Sequence, residues 1–287
     1  MRRHVFIFIA GLATATLTLW PLAACAQQDA QLQGLLNRIL RMQAEDTAAK
    51  MGQFIHEIEV QMEWITAQPP STSRLALWEQ VMRRVPAINE LSLIDAVREP
   101  GMMVKFSRRA DGPATGQTNG SPDQKLTTTI LVGVDAVGRS LIELAHTLQN
   151  GAHWSPIYFR HEREPYMTMT MTLPRTSVIS VVEISLKPIQ DMLSRIKLSE
   201  HAQANVIDAQ GRLIFPGISL VLDDTNVTQF AQVRAARWAS AGAGSGPVQS
   251  AKDILGRELL TAYAPVAPLG WLVFVELPIE EANALAQ

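Results

Sequence analysis

The sequence predicts an α+β chain, with one long N-terminal helix followed by two small, sheet-rich units. Three observations carry this. Apolar residues recur at helical spacing up to the Pro69-Pro70 pair. Beyond it the apolar runs shorten to strand length and are separated by Gly, Pro, Asn and Asp clusters. A short helical pattern, Pro188–Ile196, then divides the strands into two sets. The 287 residues, 47% hydrophobic and 18% charged, are those of a globular chain large enough for two cores.

The first 26 residues read as an export signal or anchor. Arg2 and Arg3 precede an uncharged stretch from Val5 to Ala26, a charged region followed by an apolar one. Three fates are open. Leu22-Ala23-Ala24-Cys25 resembles a lipobox, in which Cys25 would be lipidated. Ala24-Cys25-Ala26 fits the small-x-small pattern of ordinary cleavage. The stretch is also just long enough to stay as a membrane span, which needs about 20 apolar residues. Trp20 and Pro21, and the lack of a second span in these residues, favour cleavage. All three fates place the remainder outside the cytoplasm, attached to the membrane by an anchor or a lipid in two of them.

Residues 27–70 form the expected helix. Met51, Phe54, Ile55, Ile58, Met62 and Ile65 make one apolar stripe, and Leu32, Leu35, Leu36, Ile39 and Leu40 an earlier stretch of the same kind. Proline at 69 and 70 ends it, because proline lacks the backbone donor and restricts the residue before it. Such a helix packs on a sheet, and could also pair with a second copy. A shorter helix is expected over Ser73–Arg84.

The first sheet-rich unit spans residues 71–195. Leu91–Asp95 and Met102–Arg108 read as a strand and its return, 110–125 as a Gly/Pro/Asn-rich loop, Ile130–Val134 as a short strand and Arg139–Leu148 as a helix. Tyr166–Leu173, where Met alternates with Thr, and the apolar Val178–Leu186 read as central strands. The second unit spans 196–280. Ala204–Asp208 and Arg212–Pro216 flank Ala209-Gln210-Gly211, a turn with glycine where positive φ is required. Phe230–Ala241 reads as a helix, Ala241–Gly246 as a loop, and Glu258–Ala264 and Trp271–Glu276 as closing strands. Both units are too small and too rich in strands for a kinase or cyclase core.

Five segments, taken in order, resemble the double Cache sensor domains of bacterial receptors: Pro86–Leu91 with Ile94-Asp95, Phe106–Arg108, Trp154–Phe159 with Tyr166–Thr168, Val206–Ile214, and Gly270–Pro278. The resemblance runs from about residue 30 to 280. It implies two tandem PAS-like antiparallel-sheet units, the first membrane-distal and the second membrane-proximal. It also implies that the distal unit binds a small molecule outside the cytoplasm and relays the event to a signalling partner or to an output module such as a histidine kinase or cyclase.

A zwitterion or carboxylate needs a fixed cation, an ammonium needs an acid or an aromatic face, and both need apolar walls. Trp154, Tyr158, Arg160 and Tyr166 supply these types within a short span, and Arg108 could add a second cation; these five are the candidate ligand residues. The Arg-x-Trp-Tyr step of amino-acid-sensing relatives is absent, so the ligand class stays open. Glu183 follows on a strand whose facing the sequence does not reveal, and Asp208 is expected to cap its hairpin.

Catalysis has no visible foundation. The six histidines show no HExxH or HxH spacing, although His153 and His161 could bind metal with Glu162 or Glu164. There is no G-x-S-x-G elbow or GxGxxG, Gly242–Gly246 lacks a phosphate-loop lysine, and His56-Glu57 reads as surface. No cofactor is implied. Lys and Arg are scattered, which speaks against nucleic acid. A single cysteine excludes an internal disulfide. The competing reading is a structural envelope protein that uses the same fold for protein contacts.

Overall fold

A computed structural model of the chain describes residues 19–68, 74–95, 102–108, 126–132, 150–160, 164–215, 225–240, 245–253 and 255–285, with side chains from residue 31. The expected loop at 110–125, the helix Arg139–Leu148, Pro69-Pro70 and the region before Leu19 lie outside them. Cys25 falls on the first helix, but its side chain is outside the described set.

Helix α1 (Leu19–Thr66) is 48 residues long. Its second half buries the expected stripe: Met51, Ile55, Ile58, Met62 and Ile65 are each at most 1% exposed. Burying side chains of this size stabilises by about 1.5–3 kcal/mol each, an upper bound because the unfolded chain is itself partly collapsed. The earlier stretch divides. Leu40 is buried and continues through Ala44 and Ala48, whereas Leu35 and Ile39 are exposed together with Met42. Among the described residues no helix is long and apolar enough to cross a membrane.

The chain forms two compact units, one comprising Ala49–Arg195 and the other the chain up to Ala48 together with Ile196 onward. The first unit is built on β1 (Ile88–Asp95), β2 (Met102–Arg108), β3 (Leu126–Val132), β4 (Gly151–Trp154), β5 (Tyr158–Arg160), β6 (Glu164–Thr172) and β7 (Val178–Ser185). The antiparallel order is β3-β2-β1-β7-β6-β4, with β5 also on β6, so the two strands expected to be central are interior.

Strand alternation divides this sheet into an apolar and a polar face. Register aligns Phe106, Leu91, Val182 and Met169 across four strands on one face. Helix α2 (Leu75–Arg84) covers part of that face, with Trp78 edge-on to Phe106 at 6.2 Å. The end of α1 is held there too, by Thr66 Oγ1 at 2.5 Å from Ser180 Oγ. The opposite face carries Ser107, Glu90, Glu183 and Thr168 in one row and Lys105, Ser92, Val181 and Thr170 in the next. The Met/Thr alternation of β6 is the sequence trace of this division. Helix α3 (Lys187–Leu193) closes the unit, with proline in its first turn where no backbone donor is needed.

The second unit is a five-stranded antiparallel sheet in the order β10-β11-β12-β8-β9. Its strands are β8 (Gln203–Ile207), β9 (Leu213–Phe215), β10 (Gln249–Lys252), β11 (Glu258–Val266) and β12 (Trp271–Pro278). Helix α4 (Ala231–Ser240) packs Val233 and Ala236 into a core with Ile207, Leu213, Tyr263 and Phe274. Helix α5 (Ile279–Leu285) follows β12 directly.

Asp208 caps its turn as expected: Oδ1 accepts from Gln210 N and Arg212 N, both at 2.9 Å, and Oδ2 accepts from Arg212 Nε at 2.7 Å. Gly211 takes φ +81° there. The same Asp-x-x-Gly-Arg turn recurs unannounced at Asp253, whose Oδ1 accepts from Leu255 N and Arg257 N and whose Oδ2 accepts from Arg257 Nε at 2.7 Å.

Candidate functional site

Glu183 is the centre of the polar face. It is the one charged residue in the apolar run of β7, and its side chain is only 10% exposed. A carboxylate so buried must be met by donors or counter-charge. Oε1 accepts from Asn89 Nδ2 at 2.6 Å and Arg160 Nη1 at 2.9 Å. Oε2 accepts from Tyr158 Oη at 2.7 Å and lies 2.7 Å from Arg160 Nη2. The Arg160–Glu183 pair is therefore the two-pronged guanidinium–carboxylate arrangement, stronger and more directional than a single contact.

Local structure delivers each partner. A bulge in the β1–β7 register between Ile88 and Glu90 makes Asn89 the extra residue, and its amide reaches Glu183. The short β5 hairpins onto β6, placing Tyr158 directly across from Tyr166 and Arg160 across from Glu164. The two tyrosine rings stack at 6.3 Å with 21° between planes. The Arg160 guanidinium carbon lies 5.5 Å from one ring centre and 5.8 Å from the other. Both distances are within cation–π range.

Electrostatics follow the packing. Burial, together with a hydrogen bond to Glu183, pushes the Tyr158 phenol up to about 12. Burial and the hydrogen bond from Tyr166 Oη to Glu164 Oε2, at 2.9 Å, raise Tyr166 as well. Both phenols are thus neutral donors at physiological pH. Arg160 is the exposed member, with its side chain 47% exposed while its partner Glu183 is nearly covered.

Three of the five sequence candidates, Tyr158, Arg160 and Tyr166, come together here. Trp154 does not join them. It pairs with Met169, three residues from Tyr166 and so on the opposite face, and its indole N–H donates to Glu59 of α1 at 3.1 Å. His153, across from Thr170, shares the tyrosine face instead. Arg108 also stands apart: Nε donates to Ile88 O at 2.7 Å, and Nη2 donates to Met82 O and Val85 O. It ties β2 to the end of α2, and burial followed by nearby Arg83 lowers its pKa. His161 and Glu162, the other residues named for a metal, lie outside the described residues. Asn89 had no sequence signal, because a bulge cannot be read from one strand alone. Glu183 had one, an isolated acid in an apolar strand.

No protein-family model and no curated protein matches the chain. Solved structures do. The periplasmic sensory domain of the Campylobacter jejuni chemoreceptor Tlp1 aligns at TM-score 0.60 and 10% identity, over 88% of this chain and 98% of that one. The ligand-binding domain of the Pseudomonas aeruginosa PAO1 amino acid chemoreceptor PctC, solved with GABA, aligns at 0.55 and 14%, over 84% of this chain and 100% of that one. The extracellular domain of soHK1S-Z6, a chain assigned as a histidine kinase, aligns at 0.56 and 18%, over 88% and 98%. They are, in that order, a sensory, a ligand-binding and an extracellular domain. A long N-terminal helix followed by two antiparallel sheets, matched along nearly the whole of each of these domains, gives this chain the double Cache fold of bacterial sensory domains.

Proposed function

We propose that this chain is an extracytoplasmic sensing domain, not an enzyme. It binds a small molecule on the polar face of its first sheet at Tyr158, Arg160, Tyr166 and Glu183, and signals to a partner through α1. The observation that carries this reading is the Arg160–Glu183 pair lying over two stacked tyrosines. Arg160 here occupies a seat suited to any cation, with a buried carboxylate below and two aromatic rings beside it. A ligand ammonium can take that seat and release Arg160, or a ligand carboxylate can engage Arg160 from its exposed side. A ligand carrying both groups would satisfy both.

Two contacts support a relay. Strand β7 carries Glu183 on the polar face and Ser180 on the other, and Ser180 is bonded to Thr66 of α1. Trp154 of β4 is bonded to Glu59 of the same helix. A shift of β7 or β4 on ligand binding therefore bears directly on α1, to the extent that the ligand prefers one of the two arrangements.

The partner includes a second copy of the chain. At 3.6 residues per turn, the exposed Leu35, Ile39 and Met42 fall within about 60° of one another on α1, opposite the buried Leu40, Ala44 and Ala48. An exposed apolar patch on a helix already buried along its other face supports helix pairing. The N-terminal segment, through a retained span or a lipid on Cys25, holds the domain at the membrane. Residues 71–195 make the distal sensing unit and 196–280 the proximal one.

The test is a thermal-shift screen of the purified chain against amino acids, organic acids, amines and purines. One chemical class giving a saturable rise in Tm that Arg160→Ala abolishes supports the reading. A folded protein that responds to none of them would instead favour an envelope interaction module.

A further inference from the structure

The second unit contains a cavity of about 50 Å³ between its sheet and α4. At about 10–15 Å³ per water-sized group, this holds three to five such groups. One end is apolar, lined by Leu213, Phe230 and Phe274. The other end is polar and closes on Glu276 of β12, a residue 6% exposed.

Glu276 differs from Glu183 in having no cation of its own. Among the described residues no Lys, Arg or His forms an ion pair with it. Asn205 Nδ2 at 2.6 Å and Gln203 Nε2 at 3.1 Å, both on β8, donate to Oε2. From the loop after β10, Arg257 is held by the Asp253 carboxylate at 2.7 Å. Of that pair, Asp253, at 7% exposure, is the member that lines the cavity. From α4, Gln232 also faces the cavity, its amide donating to Lys252 O at 2.9 Å.

Glu276 also has a buried polar neighbour on the sheet. Thr261 of β11 sits directly across from Glu276, is 2% exposed, and its Oγ1 has no hydrogen-bond partner. A buried hydroxyl without a partner costs stability unless something else meets it.

We propose that this cavity is a second binding site that takes a small primary ammonium ion, its charged head on Glu276 and its carbon tail against Phe230 and Phe274. An ammonium brings three N–H donors and the missing positive charge. Its tail is limited by the volume to two or three carbons. Burial, with Asp253 adding to it and the two amides and the more distant Arg257 charge opposing it, lifts the Glu276 carboxyl to about 7. The empty site thus holds a neutral acid in mild acid and an unpaired charge above neutrality, and only the charged form attracts the ligand. The site lies in the other unit from Arg160 and does not depend on what binds there.

The experiment is a titration of the purified chain with ethylammonium chloride, read by amide NMR and by calorimetry, with sodium chloride of equal ionic strength as control. Saturable shifts at Thr261 and Phe274 are expected. Binding should be about tenfold tighter at pH 8 than at pH 6, following ionisation of a group near 7. It should be lost in Glu276→Gln and kept in Arg160→Ala. The wild-type spectra alone locate the ligand, so the result does not depend on the variant folding. Shifts no different from those in sodium chloride, equal affinity at the two pH values, or binding that survives Glu276→Gln would overturn the proposal.

Discussion

Glu183→Gln is the most informative single change at the candidate site, because it keeps the volume and removes only the charge and one acceptor. In the native site the carboxylate receives four donor contacts, two from Arg160 and one each from Asn89 and Tyr158. The amide retains one oxygen and presents an NH2 where the other stood, so two donors there lose their acceptor. Tyr158 can redirect its hydroxyl to Thr168 Oγ1, already 3.0 Å away, at little cost. Arg160 cannot compensate in the same way and loses both a hydrogen bond and its counter-charge. Breaking a fully buried ion pair costs about 3–5 kcal/mol. Arg160 is 47% exposed and can rehydrate, which argues for the lower value of a single hydrogen bond to a charged group, about 1.5–3 kcal/mol. The expected result in urea unfolding is therefore a loss of about 2 kcal/mol with an unchanged slope. Adding Arg160→Ala to Glu183→Gln should cost little more, since the pair is already broken. A loss under about 0.5 kcal/mol, the range of a surface change, would refute Glu183 as the organising centre.

All three tyrosines have pKa values raised by burial, Tyr158 to about 12, so at least two of the three phenols should stay protonated at pH 10.5 in the folded protein, while the urea-unfolded chain titrates near 10. Early titration of more than one tyrosine equivalent would contradict the packing. Glu276 has a folded pKa of about 7 against an ordinary 4.5, so its contribution is complete below pH 4.5 and is lost as pH rises through 7. Glu276→Gln should remove that dependence, making the second unit about 3 kcal/mol more stable than wild type at pH 8 and no more stable at pH 4. Gly211→Ala should destabilise by about 1–3 kcal/mol, because φ is +81° and the added Cβ would run into Thr228 Cγ2; Gly34→Ala on α1, with nothing within 4 Å, should gain up to about 1 kcal/mol. Replacing Leu35, Ile39 and Met42 together by Ser should leave Tm nearly unchanged and shift sedimentation toward monomer; an unchanged sedimentation profile would remove α1 as the pairing surface.

Periodicity made much of the architecture legible. The Met51–Ile65 stripe, the Met/Thr alternation of β6 and the Asp208 turn each encode a facing or a φ angle in a local pattern, and each stands where expected. What stayed hidden depends on pairing between distant segments. Trp154 and Tyr158 are four residues apart, yet a break between β4 and β5 puts them on opposite faces of β6. Arg108 looked like a free cation because nothing local shows that the end of α2 lies beside it. Leu35 and Ile39 read as one apolar stretch with Leu40, because a helical period says that one face is apolar without saying what covers it. Asn89 entered the site through a bulge, a property of two strands together. The Asp253 turn was legible, since it repeats the residues of the Asp208 turn, Asp-x-x-Gly-Arg.

The central claim is that a small molecule binds over Tyr158 and Tyr166. With three tyrosines in the chain, two at this face and Tyr263 in the core of the other unit, ring-selective tyrosine NMR reports the site directly. Titrating the compound class that raises Tm should shift the Tyr158 and Tyr166 rings saturably and leave Tyr263 unmoved. A ligand that stabilises the protein while both of those rings stay still would place sensing elsewhere in the fold and contradict the account.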